Sequence, residues 1–286
     1  MFDVPRLERL GGMQRVFEGN SVVVAGNGPS LCSVEPGRVL ATDVMVRINS
    51  FFFEPEYYLG QRVDLAFVSG DPRVVPFLLA TLKAELSKEK YKLGAWVATH
   101  PKSRKVAARK LGQWPELKVP SLAQGLQRGI DELMAKYQAK PTSGIQAILV
   151  AHAMGAHDII LTGVDLYQGD TRYVFTSGVH QEKLLGDAVH KPDYDRKLHS
   201  RDLDCSILEL LQKCDVSLAC ASSDMVLTSI LDVAPVRDGE AVKVRPHPDA
   251  PQDWNSWSGI YPIQLLMLLR KMRRLQSDWL LNRNGR

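Results

Sequence analysis

The chain has 286 residues, 45% of them hydrophobic and 24% charged, with a formal net charge of +4. That is the composition of one large globular domain, or of one domain with a substantial insertion. The charge is too slight to mark a nucleic-acid binder, and no run of about 18 apolar residues reads as a membrane span.

From the N-terminus, Met1-Phe2-Asp3-Val4-Pro5-Arg6 carries an acid and no apolar run, so it does not read as a secretory signal. Val22-Val23-Val24-Ala25 reads as a buried parallel strand that ends in the turn Gly26-Asn27-Gly28-Pro29-Ser30. Further strands are predicted over residues 44–48, 63–68, 95–98, 158–162 and 216–220. Helical periods fall between them at 75–86, 122–137 and 143–154. Strands alternating with helices predict an α/β fold, a parallel sheet with helices on both faces. Ligands of such sheets sit beyond the carboxyl ends of the strands, which gathers Asn27, Asn49, Ser69 and Asp165 around one crevice.

Residues 166–198 break the alternation. They are rich in Gly, Asp, Lys, His and Tyr without a clear period, as expected of a lid or a long loop. Regular structure resumes at Ser200, with a helix through Leu211. The expected organisation is a nucleotide-binding domain from residues 1–165 and 199–260, a lid at 166–198 and a basic amphipathic tail at 261–286.

Taken singly, the motifs stay open. The glycines at 26 and 28 suit close backbone approach, and amides exposed there suit a phosphate, but the turn is neither G-x-G-x-x-G nor a P-loop. It reads equally as an ordinary strand-to-helix turn, and nicotinamide binding is weaker still. Asp165 caps a turn or accepts ribose hydroxyls. Tyr167 and Tyr173, at the lid's entry, are packing residues or donors to an anionic leaving group. His199 is a surface histidine or a base. His100, His152, His157, His180, His190 and His247 show no metal spacing, and Cys32, Cys205, Cys214 and Cys220 form no C-x-x-C pair. No metal site is expected, and the thiols suit a reducing, cytoplasmic setting. Asp202-Leu203-Asp204 has the form of a cation site, but at the start of a helix it reads as structural, its acids favouring the dipole and capping amides.

Together the segments resemble bacterial sialyltransferases of glycosyltransferase family 42. The matching stretches are Val24-Ala25-Gly26-Asn27-Gly28-Pro29-Ser30-Leu31, Arg47-Ile48-Asn49-Ser50-Phe51-Phe52-Phe53 with Tyr57-Tyr58-Leu59-Gly60, Thr142-Ser143-Gly144, Gly163-Val164-Asp165-Leu166-Tyr167-Gln168 and His199-Ser200. They keep the family's order over residues 20 to 235. The resemblance implies a Rossmann-like, GT-A-variant domain and an inverting, metal-independent sialyltransferase that uses CMP-sialic acid. On that reading Asn27, Gly28, Asn49, Ser69, Ser143 and Gly144 surround the donor, and Gly163, Asp165 and Leu166 hold the nucleoside. Tyr167 and Tyr173 stabilise the departing phosphate, and His199 is the general base. Lys140 stands where the family carries an arginine and Ser69 where it carries an asparagine. Lys140 is assigned to a carboxylate or to acceptor charge, without the planar fork of arginine.

The implied partners are a CMP-sugar donor and a galactose-terminated glycan acceptor, with no cofactor and no nucleic acid. The departures leave open a donor of legionaminic, pseudaminic or Kdo type, or a CMP-sugar-binding protein that has lost transfer. The tail, with Trp254-Asn255-Ser256-Trp257, residues 260–269, Arg270-Lys271-Met272-Arg273-Arg274 and Trp279-Leu280-Leu281, reads as an interfacial helix on anionic lipid or as a docking helix or oligomer contact. A homo-oligomer, cytoplasmic and peripheral on the inner face of the cytoplasmic membrane, is the expectation.

Overall fold

The computed structural model describes residues 15–168, 170–186 and 198–284. The N-terminal hexapeptide, His190 and most of the second half of the expected lid lie outside them. Seven parallel strands form one sheet in the order β4-β3-β2-β1-β5-β6-β7. They are β1 (Val22–Ala25), β2 (Val44–Ile48), β3 (Arg62–Val68), β4 (Lys92–Ala98), β5 (Asp158–Thr162), β6 (Ser217–Cys220) and β7 (Asp232–Val233). The expected α/β, Rossmann-like class is the observed one. β3 and β4 start earlier than their apolar runs, because Arg62 and Lys92 are exposed and only the later residues are continuously buried.

The helices are α1 (Val75–Ser87), α2 (Pro101–Lys110), α3 (Gln124–Tyr137), α4 (Ser143–Ala153), α5 (Val179–Leu185), α6 (Arg201–Gln212) and α7 (Ile263–Asn284). Alternate residues of each strand face opposite layers, as the two-residue period of a strand requires. Val22, Val24, Val46, Ile159 and Leu161 pack with Ile145, Ile148, Leu203 and Ile207 of α4 and α6. Val23, Ala25 and Met45 pack with Leu31 and Leu59 on the other face. Beneath β3 and β4, Ala66, Val68 and Trp96 meet Phe77 and Leu82 of α1, and Ile263 and Leu266 of α7 join the same cluster.

Two features set the site. The strand order reverses between β1 and β5, so loops leaving them diverge and open a crevice at their carboxyl ends. After β2 the chain turns sharply through Asn49, whose φ of 50° is left-handed. Behind that turn lies a wholly buried ion pair, Arg47 Nη2 to Glu54 Oε2 at 2.7 Å, to which Tyr91 Oη adds a hydrogen bond at 3.1 Å. Losing one partner of such a pair leaves an uncompensated buried charge, a cost of about 3–5 kcal/mol. The pair therefore fixes the loop from Asn49 to Phe53.

Candidate active site

A cleft of about 360 Å³ opens at the carboxyl ends of the central strands. Asn27, Gly28, Asn49, Ser69, Ser143, Gly144, Gly163, Asp165, Leu166, Tyr167, Tyr173 and His199 all line it. Lys140 does not. Its side chain is exposed, and it contributes only its backbone.

The strand ends are tied to one another by the predicted side chains. Ser30 N–H donates to Asp165 Oδ2 at 3.0 Å, joining the loop after β1 to that after β5. Asn27 Nδ2 donates to the Ile48 carbonyl at 2.9 Å, joining β1 to β2. Asn49 Oδ1 accepts from Ser69 N–H at 2.8 Å, joining β2 to β3. These partners fix the amide orientations, since a carbonyl only accepts and an N–H only donates. Asn27 therefore offers a ligand its oxygen, which is buried without a protein partner among the described residues, and Asn49 offers its amino group. Asp165 keeps Oδ1 buried and without a partner among the described residues, and burial raises its pKa against the opposing bonds from Ser30.

The glycines serve the chain more than the ligand. A Cβ on Gly26 would stand 2.1 Å from the Gly163 carbonyl oxygen, and one on Gly28 would stand 2.2 Å from Asp165 Oδ2. Their amides donate to Thr162 O and Gly163 O, each at 2.9 Å. Neither glycine amide is thus free for a phosphate, which at these two positions favours the alternative reading of an ordinary strand-to-helix turn. Unspent amides lie instead at the first turn of α4, where Ser143 and Gly144 line the cleft and the first intrahelical bond begins only at Gln146 N–H to Thr142 O. A helix start of this kind favours an anionic group.

Beyond β5, Leu166 and Tyr167 both take left-handed φ, 50° and 56°. Two such non-glycine residues in succession are strained, and the turn they make carries Tyr167 to the cleft wall. Val174 N–H then donates to Asn27 O at 2.9 Å, and Tyr173 stacks on Phe175, which packs on Phe53. Between the phenols stands Arg172, its guanidinium carbon 4.6 Å from the centre of the Tyr167 ring and 5.5 Å from that of Tyr173. Burial raises the Tyr167 pKa and Arg172 opposes the rise. Sequence reasoning missed Arg172. Its only signal was an arginine next to one of two tyrosines six residues apart.

His199 lies where the chain returns to the core. Its Nδ1 is 2.8 Å from the Lys140 carbonyl, and Lys140 N–H donates to Leu198 O at 2.9 Å. Because the partner is a carbonyl, Nδ1 carries the hydrogen. In the neutral ring Nε2 is then the lone-pair nitrogen, the tautomer a base requires. The strap bearing Lys140 is held again two residues on, where Thr142 N–H donates to Asp204 Oδ1 at 3.1 Å. Ser200, not either acid, caps α6 through its hydroxyl. Asp202 is exposed and Asp204 buried, so their carboxylates diverge. With Oδ2 of Asp204 buried and without a partner among the described residues, desolvation pushes its pKa up to about 7.

The far wall comes from the C-terminal segment. Asp253 accepts from His180 N–H at 2.7 Å and Gln181 N–H at 3.2 Å, capping α5, while His180 Nδ1–H donates to Trp254 O at 2.7 Å. Arg270 Nη1 donates to Leu184 O at 2.7 Å at the other end of α5. Trp254 lines the cleft with Leu78 and Asp71. None of these contacts was visible in the sequence.

Comparison with known proteins places this geometry. No curated protein matches the chain. Among solved structures, the sialyltransferase CstII of Campylobacter jejuni in complex with the substrate analogue CMP-3FNeuAc is 22% identical. That match covers 82% of this chain and 94% of CstII with a TM-score of 0.72. The monofunctional alpha-2,3-sialyltransferase Cst-I of C. jejuni is 20% identical over 92% of this chain and 95% of that one, with a TM-score of 0.71. A complex of CST-II with a trisaccharide acceptor and CMP matches with a TM-score of 0.63 at 22% identity, over 82% of this chain and 94% of that one. These likenesses establish a common fold. The sequence model of the CST-I alpha-2,3-sialyltransferases matches residues 20–247, most of the chain, and the protein belongs to that family.

Proposed function

We propose that this sialyltransferase moves a sialyl residue from CMP-sialic acid to a galactose-terminated glycan, with inversion, without a metal ion and with His199 as general base. The observation that carries the reading is the bond from His199 Nδ1–H to Lys140 O, which leaves Nε2 as the acceptor in the cleft that Tyr167 and Tyr173 also line. Nε2 takes the proton of the acceptor hydroxyl as its oxygen bonds to the anomeric carbon. The bond from that carbon to the phosphate oxygen breaks, and CMP leaves with the electron pair. Ser143 and Gly144 amides at the α4 start suit the sugar carboxylate, and Asn49 Nδ2 suits an anionic oxygen. Asp165 Oδ1 and Asn27 Oδ1 accept from hydroxyl or amino groups. Residues 166–198 act as the lid, excluding the water that would otherwise hydrolyse the donor.

A donor with another acidic sugar, legionaminic, pseudaminic or Kdo-type, is a second reading. It stays open because Lys140, with its side chain exposed, and Ser69 stand where the family carries an arginine and an asparagine. The test is CMP release from CMP-sialic acid in EDTA, with and without lactose, for wild type and His199→Ala. Lactose-dependent release that survives EDTA and falls by about 10²–10⁴-fold in the variant is expected. Release abolished by EDTA would overturn metal independence. An unaffected variant would remove His199 as base, and release seen only with another CMP-activated sugar would establish the second reading.

The reading extends to a cytoplasmic enzyme of lipooligosaccharide assembly, in peripheral contact with the inner membrane face. No helix among the described residues is long and apolar enough to cross a membrane. Ile263 and Leu266 of α7 are buried, while Leu265, Leu268, Leu269, Met272 and Leu275 are exposed beside exposed Lys271 and Arg273. An apolar stripe flanked by cations suits an anionic lipid surface. The side chains of the Trp279-Leu280-Leu281 segment lie outside the described residues. Binding to anionic vesicles that persists after removal of residues 263–286 would sink the membrane contact, and a change in solution mass on the same removal would make α7 an oligomer contact instead.

A further inference from the structure

The donor carries two anionic groups, a phosphodiester and a sugar carboxylate, and the phosphate gains a further charge as the nucleotide leaves. A cleft that handles this departure without a metal ion needs a fixed positive charge or several converging donors. Among the described residues that line it, Arg172 is the one lysine or arginine. Its guanidinium lies over both the Tyr167 and Tyr173 rings, at 4.6 and 5.5 Å, so two aromatic faces restrain it. Those rings belong to the phenols already placed at the leaving group. Tyr173 is itself pinned through Phe175 to Phe53, and Val174 through its N–H to Asn27 O. The cation is thereby tied to the loop after β1 and not left to a free surface chain. The carboxylate has another recipient in the first-turn amides of α4, which leaves the phosphate for the charge.

We propose that Arg172 is a further catalytic residue, its guanidinium serving as the counter-charge to the donor's phosphate as CMP departs. The inference rests on the CMP-sugar reading above and deepens it. When the bond between the anomeric carbon and the phosphate oxygen breaks, the electron pair stays on that oxygen and the phosphate passes from one negative charge to two. Arg172 stabilises the second charge, and the two phenols donate hydrogen bonds beside it. The opposition of Arg172 to the raised Tyr167 pKa agrees with a cation near that hydroxyl.

The charge role is separable from packing by using ligands with and without phosphate. The dissociation constants of CMP and of cytidine are measured by calorimetry on wild type, Arg172→Gln and Arg172→Lys, with sialyl transfer followed in parallel. Arg172→Gln is expected to weaken CMP by about 10- to 100-fold while leaving cytidine within about threefold, and to lower kcat by a similar factor. Arg172→Lys keeps the charge and is expected to lose less than about tenfold on CMP. An unchanged ratio of CMP to cytidine affinity in Arg172→Gln would overturn the proposal, including the case in which both ligands weaken together because the lid has loosened. Normal CMP affinity with weakened CMP-sialic acid would assign Arg172 to the sugar carboxylate and also overturn it. A wild type that binds neither CMP nor cytidine would sink the donor reading itself, an outcome distinct from any seen only in the variants.

Discussion

The two walls of the cleft are built differently. One is made of the carboxyl ends of β1, β2, β3 and β5, joined by short bonds between loops: Ser30 to Asp165, Asn27 to Ile48, Asn49 to Ser69. The other is made of α5 and the C-terminal segment, held by side chains reaching backbone groups some 70 to 90 residues away in sequence: Asp253 to His180, Arg270 to Leu184. The first wall rests on strands that are buried towards their carboxyl ends, and it has little freedom. The second joins the cluster beneath β3 and β4 through a handful of buried residues, Leu184, Trp254, Ile263 and Leu266, and is otherwise held by bonds between segments distant in sequence. Rigid elements suit a nucleotide that is the same at every turnover, and a wall assembled from distant segments suits the proposed lid.

Of the two walls, the first has no slack, and the larger effect on the nucleotide is expected there. Gly28 has φ −74° and ψ 167°, which alanine adopts freely, so the objection to a side chain there is steric. Its Cβ would meet Asp165 Oδ2 at 2.2 Å and the Gly163 carbonyl oxygen at 2.9 Å. Gly28→Ala should weaken CMP at least tenfold by displacing Asp165 and destabilise the fold by about 1–3 kcal/mol. Gly125→Ala is the control, since nothing lies within 4 Å of a Cβ there, and at the start of α3 it should stabilise by up to about 1 kcal/mol. Titration of CMP and denaturant unfolding measure both. Equal CMP affinity in the two variants would show that the strand-end wall yields, and the contrast between the walls would fail.

A smaller effect is expected on the second wall. Arg270→Ala removes the bond to Leu184 O and the charge that faces Asp71 at 3.9 Å, and Asp253→Ala removes the cap of α5. Each should leave CMP affinity within about twofold. Each should also raise donor hydrolysis relative to transfer by about three- to tenfold, because a loosened lid admits water. The ratio of free sialic acid to sialylated product measures this. A fall in CMP affinity with no rise in hydrolysis would place both residues in the support of the nucleotide instead.

The same division explains what the sequence made legible. Strands β1, β2 and β5 are short apolar runs ended by glycine, asparagine or aspartate, and the residues that close them are those that bridge the strand ends. α2 escaped notice because Ser103 and Ala107 are its only buried residues, so no apolar period marks it. β7 is only two residues long. α5 has seven residues and owes its position to Asp253 and Arg270, which no local pattern connects to it. Lys140 was placed by its position before Thr142, whereas the strap turns its carbonyl to His199 and its side chain outward. Asp204, taken as a local helix acid, instead reaches across to Thr142. Local sequence encodes the conformation of a segment, and the contacts that fix the second wall are not local.

Asp204 stands outside both walls, away from the cleft lining, and acts on the site only by holding Thr142 at the α4 start. Its expected effect on transfer is the smallest, because Asn at this position still accepts from Thr142 N–H. Its effect on stability has a definite sign. Burial raises the folded pKa to about 7, well above the usual carboxylate range, so the folded chain holds the proton over a range in which the unfolded chain has released it. The stability contributed by the neutral carboxyl is fully present below about pH 4 and is lost as pH rises to about 7 and slightly beyond. Asp204→Asn cannot lose a proton, so it should overtake the wild type across that window, by at most on the order of 4 kcal/mol. Denaturant unfolding at pH 5 and pH 8 tests this, with transfer at pH 7 expected to stay within about threefold. A stability difference independent of pH would mean that Asp204 is ionised throughout and that another group meets its buried Oδ2. The strap would then owe its place to a paired charge, and the same substitution would cost activity by shifting Lys140 and, with it, the His199 ring bonded to its carbonyl.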